Sequence, residues 1–212
     1  MKQIVGTWLP DTDTYFTHIL QKYGAFEPGR LRLALQYIKG CMTAYDIGAH
    51  VGLRSLELAP IFGHVFAFEP NPPTYECLVR NMSDSPNVIP LHYALGATEG
   101  EVGMIESTTR PGNSGSYFCT GGVGIEMRTL KTLNLPPPDF MKIDVEGFED
   151  LVLLGGEEMI RSQKPVILVE EKNFRDTEGR INNGYRAAGH LLEKWGAVRK
   201  HRINNDAVYI WE

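Results

Sequence analysis

From residue 44 onward the chain settles into a rhythm of short apolar runs and longer amphipathic ones, punctuated by glycine or proline. Ala44 to Ile47 reads as a strand. Leu53 to Phe62 reads as a helix with Leu53, Leu56, Leu58 and Ile61 apolar, and His64 to Phe68 as a second strand. Pro72 to Met82 follows as a helix opened by prolines, then Val88 to Leu91 as a third strand. The alternation resumes with a strand over Phe140 to Ile143, a helix over Phe148 to Ile160, a strand over Val166 to Val169 and a helix over Tyr185 to Trp195. Strands joined through helices run parallel, and a parallel sheet has to be covered on both faces. The last two runs, Val198 to Ile203 and Ala207 to Trp211, are separated only by Asn204-Asn205-Asp206, a link so short that it forces an antiparallel hairpin. The expected fold class is therefore α/β: a doubly wound, mostly parallel seven-stranded sheet finished by a C-terminal antiparallel hairpin.

The 212 residues suit one compact unit, at roughly 150 residues per domain. Within it, residues 1–40 form an N-terminal helical cap, with helices expected over Thr14 to Lys22 and Pro28 to Lys39, and residues 41–212 form the main domain. Between Ser107 and Gly124 the periodicity vanishes and five glycines (112, 115, 121, 122 and 124) appear, which reads as a long functional loop. A 42% hydrophobic content is enough for a core that needs no disulfide. Cys41, Cys77 and Cys119 are odd in number and in no zinc-type spacing, so they read as buried or incidental thiols of a reducing compartment. A net charge of −5 with no basic run argues against a nucleic-acid partner held through phosphates. The apolar stretch Ile4 to Leu9 is broken by Gly6 and Thr7, and nothing approaches the roughly 18 apolar residues of a membrane span. No membrane is expected, and the cytoplasm is the expected location.

Asp46-Ile47-Gly48-Ala49-His50-Val51-Gly52 carries the strongest chemical signal, because it ends a strand and opens a helix with glycines that let a ligand approach the backbone. Its D-x-G-x-x-x-G spacing differs from the G-x-G-x-x-G of a pyrophosphate seat and suits a smaller group. Twenty-three residues on, Glu69 ends the next strand, where a carboxylate offers two oxygens to the two hydroxyls of a ribose. A tight turn plus a solvated glutamate would account for either feature alone; the two in register point to adenosine. The second signal is Phe140-Met141-Lys142-Ile143-Asp144-Val145-Glu146-Gly147, a strand ending in two carboxylates at the same sheet edge. Lys142 and Asp144 share a face if the strand stays regular, and a lysine inside a central strand needs an acidic partner, for which Glu170 is one candidate. An ion-pair network that only fixes strand ends is the competing reading. No histidine pair has HxH or HExxH spacing, and Asp144 with Glu170 lacks a clear third ligand, so no metal is expected. Ser114 and Ser116 read as solvated loop serines ahead of substrate contacts, and Trp8, Tyr15 and Phe16 as an aromatic anchor into the core ahead of a cover closing over the site from the N-terminal segment.

These segments, together with A-F-E-P-N-P at residues 67 to 72, Ala94-Leu95-Gly96, Thr129-Leu130, K-I-D-V-E-G at 142 to 147 and Val169-Glu170, resemble the FkbM-type methyltransferase family. The likeness covers roughly residues 44 to 171, with the motifs in order at family-like separations. It implies a Rossmann-like class I methyltransferase fold, S-adenosyl-L-methionine as cofactor, and methyl transfer to a hydroxyl oxygen of a sugar or other small-molecule acceptor. By position it implies cofactor binding by Asp46, Gly48, Ala49, His50, Gly52, Glu69, Pro70, Asn71, Ala94 and Asp144. The reaction site would be bordered by Asp144, the first choice of base, by Glu146, and by Lys142 or Glu170 as groups that set its charge. His50 stands where the family usually has asparagine. The likeness is compatible with a homodimer. Two rival classes stand beside it: a nicotinamide-dependent oxidoreductase, which the missing G-x-G-x-x-G disfavours, and a catalytically silent adenosine-cofactor-binding protein, which would not need the carboxylates around Asp144.

Overall fold

The computed structural model describes residues 1–26, 29–171 and 186–212. Pro28 and Tyr185, where two of the expected helices begin, lie outside the described residues. The chain opens with an unexpected hairpin, β1 (Lys2–Ile4) and β2 (Thr7–Leu9). Its two-residue turn, Val5-Gly6, has positive φ at both positions (48° and 79°), the geometry that matches strand twist in a hairpin. Helix α1 (Tyr15–Tyr23) follows and stops at Gly24, whose left-handed conformation lets its N–H return to Leu20 O. The second expected helix of this region shrinks to α2 (Arg32–Leu35) flanked by turns.

The alternating core then runs β3 (Thr43–Ile47), α3 (Leu53–Leu58), β4 (His64–Phe68), α4 (Pro72–Asn81) and β5 (Val88–Leu91). After it come β6 (Ala94–Leu95), β7 (Gly100–Glu106) and β8 (Tyr117–Arg128), which form a separate three-stranded sheet in the order β6-β8-β7. Much of the stretch expected as a loop over 107–124 is therefore strand. Its glycines 121, 122 and 124 lie in a bulge of β8, where the register jumps between the Val102–Ile125 and Gly103–Thr120 pairs, and only residues 107–116 form a true loop. The main sheet continues with β9 (Phe140–Ile143), α5 (Glu149–Gly155), α6 (Glu157–Gln163), β10 (Val166–Glu170), α7 (Ala187–Lys194), β11 (Val198–Ile203) and β12 (Asp206–Ile210). The single helix expected over 148 to 160 breaks at Gly155-Gly156. A side chain at Gly155 would stand 2.1 Å from Gly96 O, so the helix passes the smaller sheet at a contact that only glycine permits.

The seven strands of the main sheet lie in the order β11-β12-β10-β9-β3-β4-β5, with only β12 antiparallel to its neighbours. Alternate residues of each strand feed opposite faces. Tyr45, Ile47, Met141, Ile143, Ile167 and Val169 pack on one side, while Ala44, Phe140, Leu168 and Val208 pack on the other. The chain runs outward from β3 to β5 and then returns to β9 on the other side of β3, so a topological switch point, where ligands of such sheets bind, lies between β3 and β9. Among the described residues no helix is long and apolar enough to cross a membrane. All three cysteines are free thiols, Cys77 and Cys119 buried and Cys41 exposed.

Candidate active site

At the carboxyl end of β3 the backbone turns back so sharply that Gly48 (φ 77°) has no room for a side chain: a Cβ there would stand 1.9 Å from Asp144 O. Gly48 N and Ala49 N both donate to Phe68 O, at 3.0 and 2.8 Å. Those two amides are thus engaged within the fold and do not cradle a phosphate. His50 (φ 54°) continues the turn, and Gly52 (φ 90°) starts α3 against Leu78 and Met82.

Glu69, at the end of β4, is buried, and each of its oxygens receives one backbone N–H, His50 N on Oε2 and Asn71 N on Oε1, both at 2.9 Å. Burial pushes its carboxyl up to about 7 although the two amides oppose the shift. Each oxygen keeps a lone pair, and the side chain borders a cavity of about 270 Å³ at the switch point.

Register explains the lysine inside the sheet. Lys142 on β9 lies opposite Asp46 on β3, so the two side chains emerge side by side on one face. The Lys142 ammonium stands 3.3 Å from Asp46 Oδ1 and 4.0 Å from Asp144 Oδ2, and it donates to Gly48 O at 2.7 Å. These carboxylates, and not the candidate Glu170, are the ones with which it pairs. Burial alone would lower its pKa, but Asp46 and Asp144 outweigh it and hold the lysine above its usual value and charged. Asp46 is fully buried, its other oxygen accepting from Ser55 Oγ at 2.6 Å.

Of the residues named from the sequence, Gly48, Ala49, His50, Glu69, Pro70, Ala94, Lys142, Asp144, Glu146 and Glu170 border this cavity. Asp46, Gly52 and Asn71 do not: they act on the turn and on Glu69 from behind. Three further groups stand with these, of which Glu149 and Asp13 escaped the sequence reading. Glu149 is buried beside Asp144 and accepts from Val145 N and Gly147 N on one oxygen (3.1 and 3.2 Å); burial lifts its carboxyl to about 7. It brings an oxygen within 4.8 Å of oxygens of Asp144 and Glu170, which supplies the third carboxylate that a divalent cation would need. Asp13 and Ser114 are the other two. Ser114 and Ser116 are both buried rather than solvated, and Ser114 Oγ bonds Asp13 at 2.6 Å. Tyr15 and Phe16 border the cavity, whereas Trp8 packs away from it under Arg80.

A parallel sheet with one antiparallel strand next to its edge, a bare turn after its first core strand and an acid ending the next define the class I methyltransferase fold. Solved structures agree: the chain superposes on the methyltransferase FkbM from Methylobacillus flagellatus with a TM-score of 0.54 at 17% identity, over 81% of this chain and 44% of that one. A fibrillarin from Aeropyrum pernix, solved with natively bound S-adenosyl-L-methionine, gives 0.52 at 15% identity over 85% and 73%. The chain belongs to the methyltransferase FkbM domain family, whose model matches residues 46–201. Among curated proteins it is 29% identical over 143 residues to the hexuronic acid methyltransferase AglP of Haloferax volcanii. That match takes in 65% of this chain and 59% of AglP, so the chain spans well under two thirds of that relative.

Proposed function

We propose that the chain binds S-adenosyl-L-methionine and transfers its methyl group to a hydroxyl oxygen of a carbohydrate, with a uronic acid as the first acceptor to try. The observation that carries this reading is the facing of Glu69 and the Gly48 turn across one cavity, with Asp144 beside them. The residues present fit the cofactor: a lone pair on each Glu69 oxygen suits the two ribose hydroxyls, and the side-chain-free bend at Gly48 suits the methionine part. Membership of the family and the likeness to a hexuronic acid methyltransferase support the activity and the sugar acceptor. The engaged amides of Gly48 and Ala49 speak against the rival nicotinamide cofactor, whose pyrophosphate needs free donors.

When bound, the cofactor's sulfonium supplies an activated methyl group. The chain's part is to align and to take a proton. Asp144, partly exposed at the cavity wall, accepts the proton of the attacking hydroxyl, and the Lys142 ammonium stands 4.0 Å from that carboxylate. Glu146, in a left-handed conformation at φ 53°, borders the same space. The test is release of S-adenosylhomocysteine on incubation with S-adenosylmethionine and a panel of uronic acids and neutral sugars. Asp144→Asn is expected to cut turnover by about a hundredfold or more while cofactor affinity changes little. Full turnover in that variant removes the base assignment, and absence of transfer to every sugar removes the acceptor class.

A further inference from the structure

One wall of the cavity comes from neither the glycine turn nor the strand ends. The N-terminal segment and the 107–116 loop meet above His50, where Thr14 N and Tyr15 N both donate to Gly112 O at 2.7 and 3.2 Å. Beneath that contact lies a buried polar chain. Asp13, fully buried, accepts from Thr17 N (3.0 Å) on one oxygen and from Ser114 N (2.9 Å) and Ser114 Oγ (2.6 Å) on the other. His50 Nε2 lies 2.7 Å from the same Ser114 Oγ, and the Phe16 ring covers the imidazole with centroids 4.4 Å apart.

Counting protons sets the direction of each bond. A carboxylate holding three donors only accepts, so the single hydroxyl proton of Ser114 goes to Asp13. The Ser114 oxygen must then receive its bond from His50, which places the imidazole proton on Nε2. Burial keeps the ring neutral near pH 7, with its pKa lowered to about 4. A neutral imidazole has one N–H, so Nδ1 is left as a bare acceptor. Among the described residues the His50 ring is bonded through Nε2 alone, and His50 borders the cavity. The same residue's backbone N–H holds Glu69, so His50 joins this buried chain to the acid that ends β4.

We propose that His50 Nδ1 receives the α-ammonium group of the cofactor's methionine part, and that Asp13 and Ser114 are positioning residues that set the tautomer making this possible. The inference rests on reading the cavity as an S-adenosylmethionine site. It makes the N-terminal segment, which lies before the family match at residue 46, a working part of that site.

Nitrogen-15 spectra of the imidazoles test it, with the His50 signals assigned from their loss in His50→Asn. In the free protein His50 is expected to be protonated on Nε2 and bare on Nδ1. S-adenosylhomocysteine should move the Nδ1 signal, and 5′-methylthioadenosine, which lacks the amino-acid portion, should not. In calorimetry, Ser114→Ala should weaken S-adenosylhomocysteine about tenfold while changing 5′-methylthioadenosine less than about twofold. An Nδ1-protonated ring in the free protein overturns the proposal without touching the cofactor reading. So does an equal loss for both ligands in Ser114→Ala, or an Nδ1 shift caused by 5′-methylthioadenosine. Failure of both ligands to bind the unaltered protein overturns the cofactor reading and this proposal with it.

Discussion

Replacing Lys142 with methionine keeps the length of the side chain and removes the ammonium that stands between Asp46 and Asp144. The magnitude follows from the geometry. At 3.3 Å and an effective dielectric of about 20, the attraction between the ammonium and Asp46 is about 5 kcal/mol. Asp144 is partly exposed and screened, so its share is small. Against the loss stands relief from desolvating the lysine, and removal of one partner from a buried pair costs about 3 to 5 kcal/mol in practice. For a chain of 212 residues that corresponds to a Tm lower by about 6 to 20 °C. Thermal unfolding followed by circular dichroism measures it, with urea titration as a check that the midpoint moves at constant slope. The cause is isolated by the double variant Lys142→Met/Asp46→Asn, which no longer leaves an uncompensated buried carboxylate. It should recover at least half of the loss, because contacting groups are not additive. A single variant that melts within about 2 °C of the parent, or a double variant no better than the sum of the two singles, refutes the reasoning.

Two further outcomes are expected. Because Glu69 in the ligand-free protein titrates at about 7 and must be ionised to accept both ribose hydroxyls, affinity for S-adenosylhomocysteine should be flat above that pH. Below it, affinity should fall by up to about tenfold per pH unit as the ligand has to displace a proton. Glu69→Gln should flatten the profile, even though Glu149 still titrates in the same range; a profile unchanged by that substitution contradicts the assignment. Gly48→Ala combines a left-handed φ with a 1.9 Å approach to Asp144 O, and should cost at least about 3 kcal/mol. Gly121→Ala, with open space around it, should stay within about 1 kcal/mol of the parent; equal urea midpoints for the two would sink the close-approach argument.

What could be read in advance was what is local along the chain. Strands β3, β4, β5, β9 and β10 fall within a residue of their expected ends, since apolar runs of four or five residues between helical stretches have few alternatives. The closing hairpin was legible because Asn204 and Asn205 leave no length for a crossover. What was missed depends on contacts or on glycines with two meanings. Gly6 reads as breaking an apolar run, yet with Val5 it makes a hairpin turn. Gly121, Gly122 and Gly124 read as loop but bulge a strand, and Gly155 gives no sign in sequence of the backbone that it lets pass. The same division holds at the candidate site. The turn, Glu69 and the carboxylates after β9 sit at strand ends and carry spacing that can be recognised. Asp13 and Ser114 are about a hundred residues apart, and each looks like an ordinary loop residue until the fold buries them together. Glu149 looked like the first turn of a helix, which it is; its second role beside Asp144 and Glu170 exists only in three dimensions.

The central claim is that an adenosine cofactor is held between the Glu69 carboxylate and the Gly48 bend. Calorimetric titration of S-adenosylhomocysteine into the unaltered protein and into Glu69→Leu tests it most directly. One site per chain is predicted, weakened about a hundredfold or more in the variant through loss of two hydrogen bonds to a charged acceptor, with no heat from NAD in either protein. Equal affinity in the two proteins, or tighter binding of NAD than of S-adenosylhomocysteine, would contradict it.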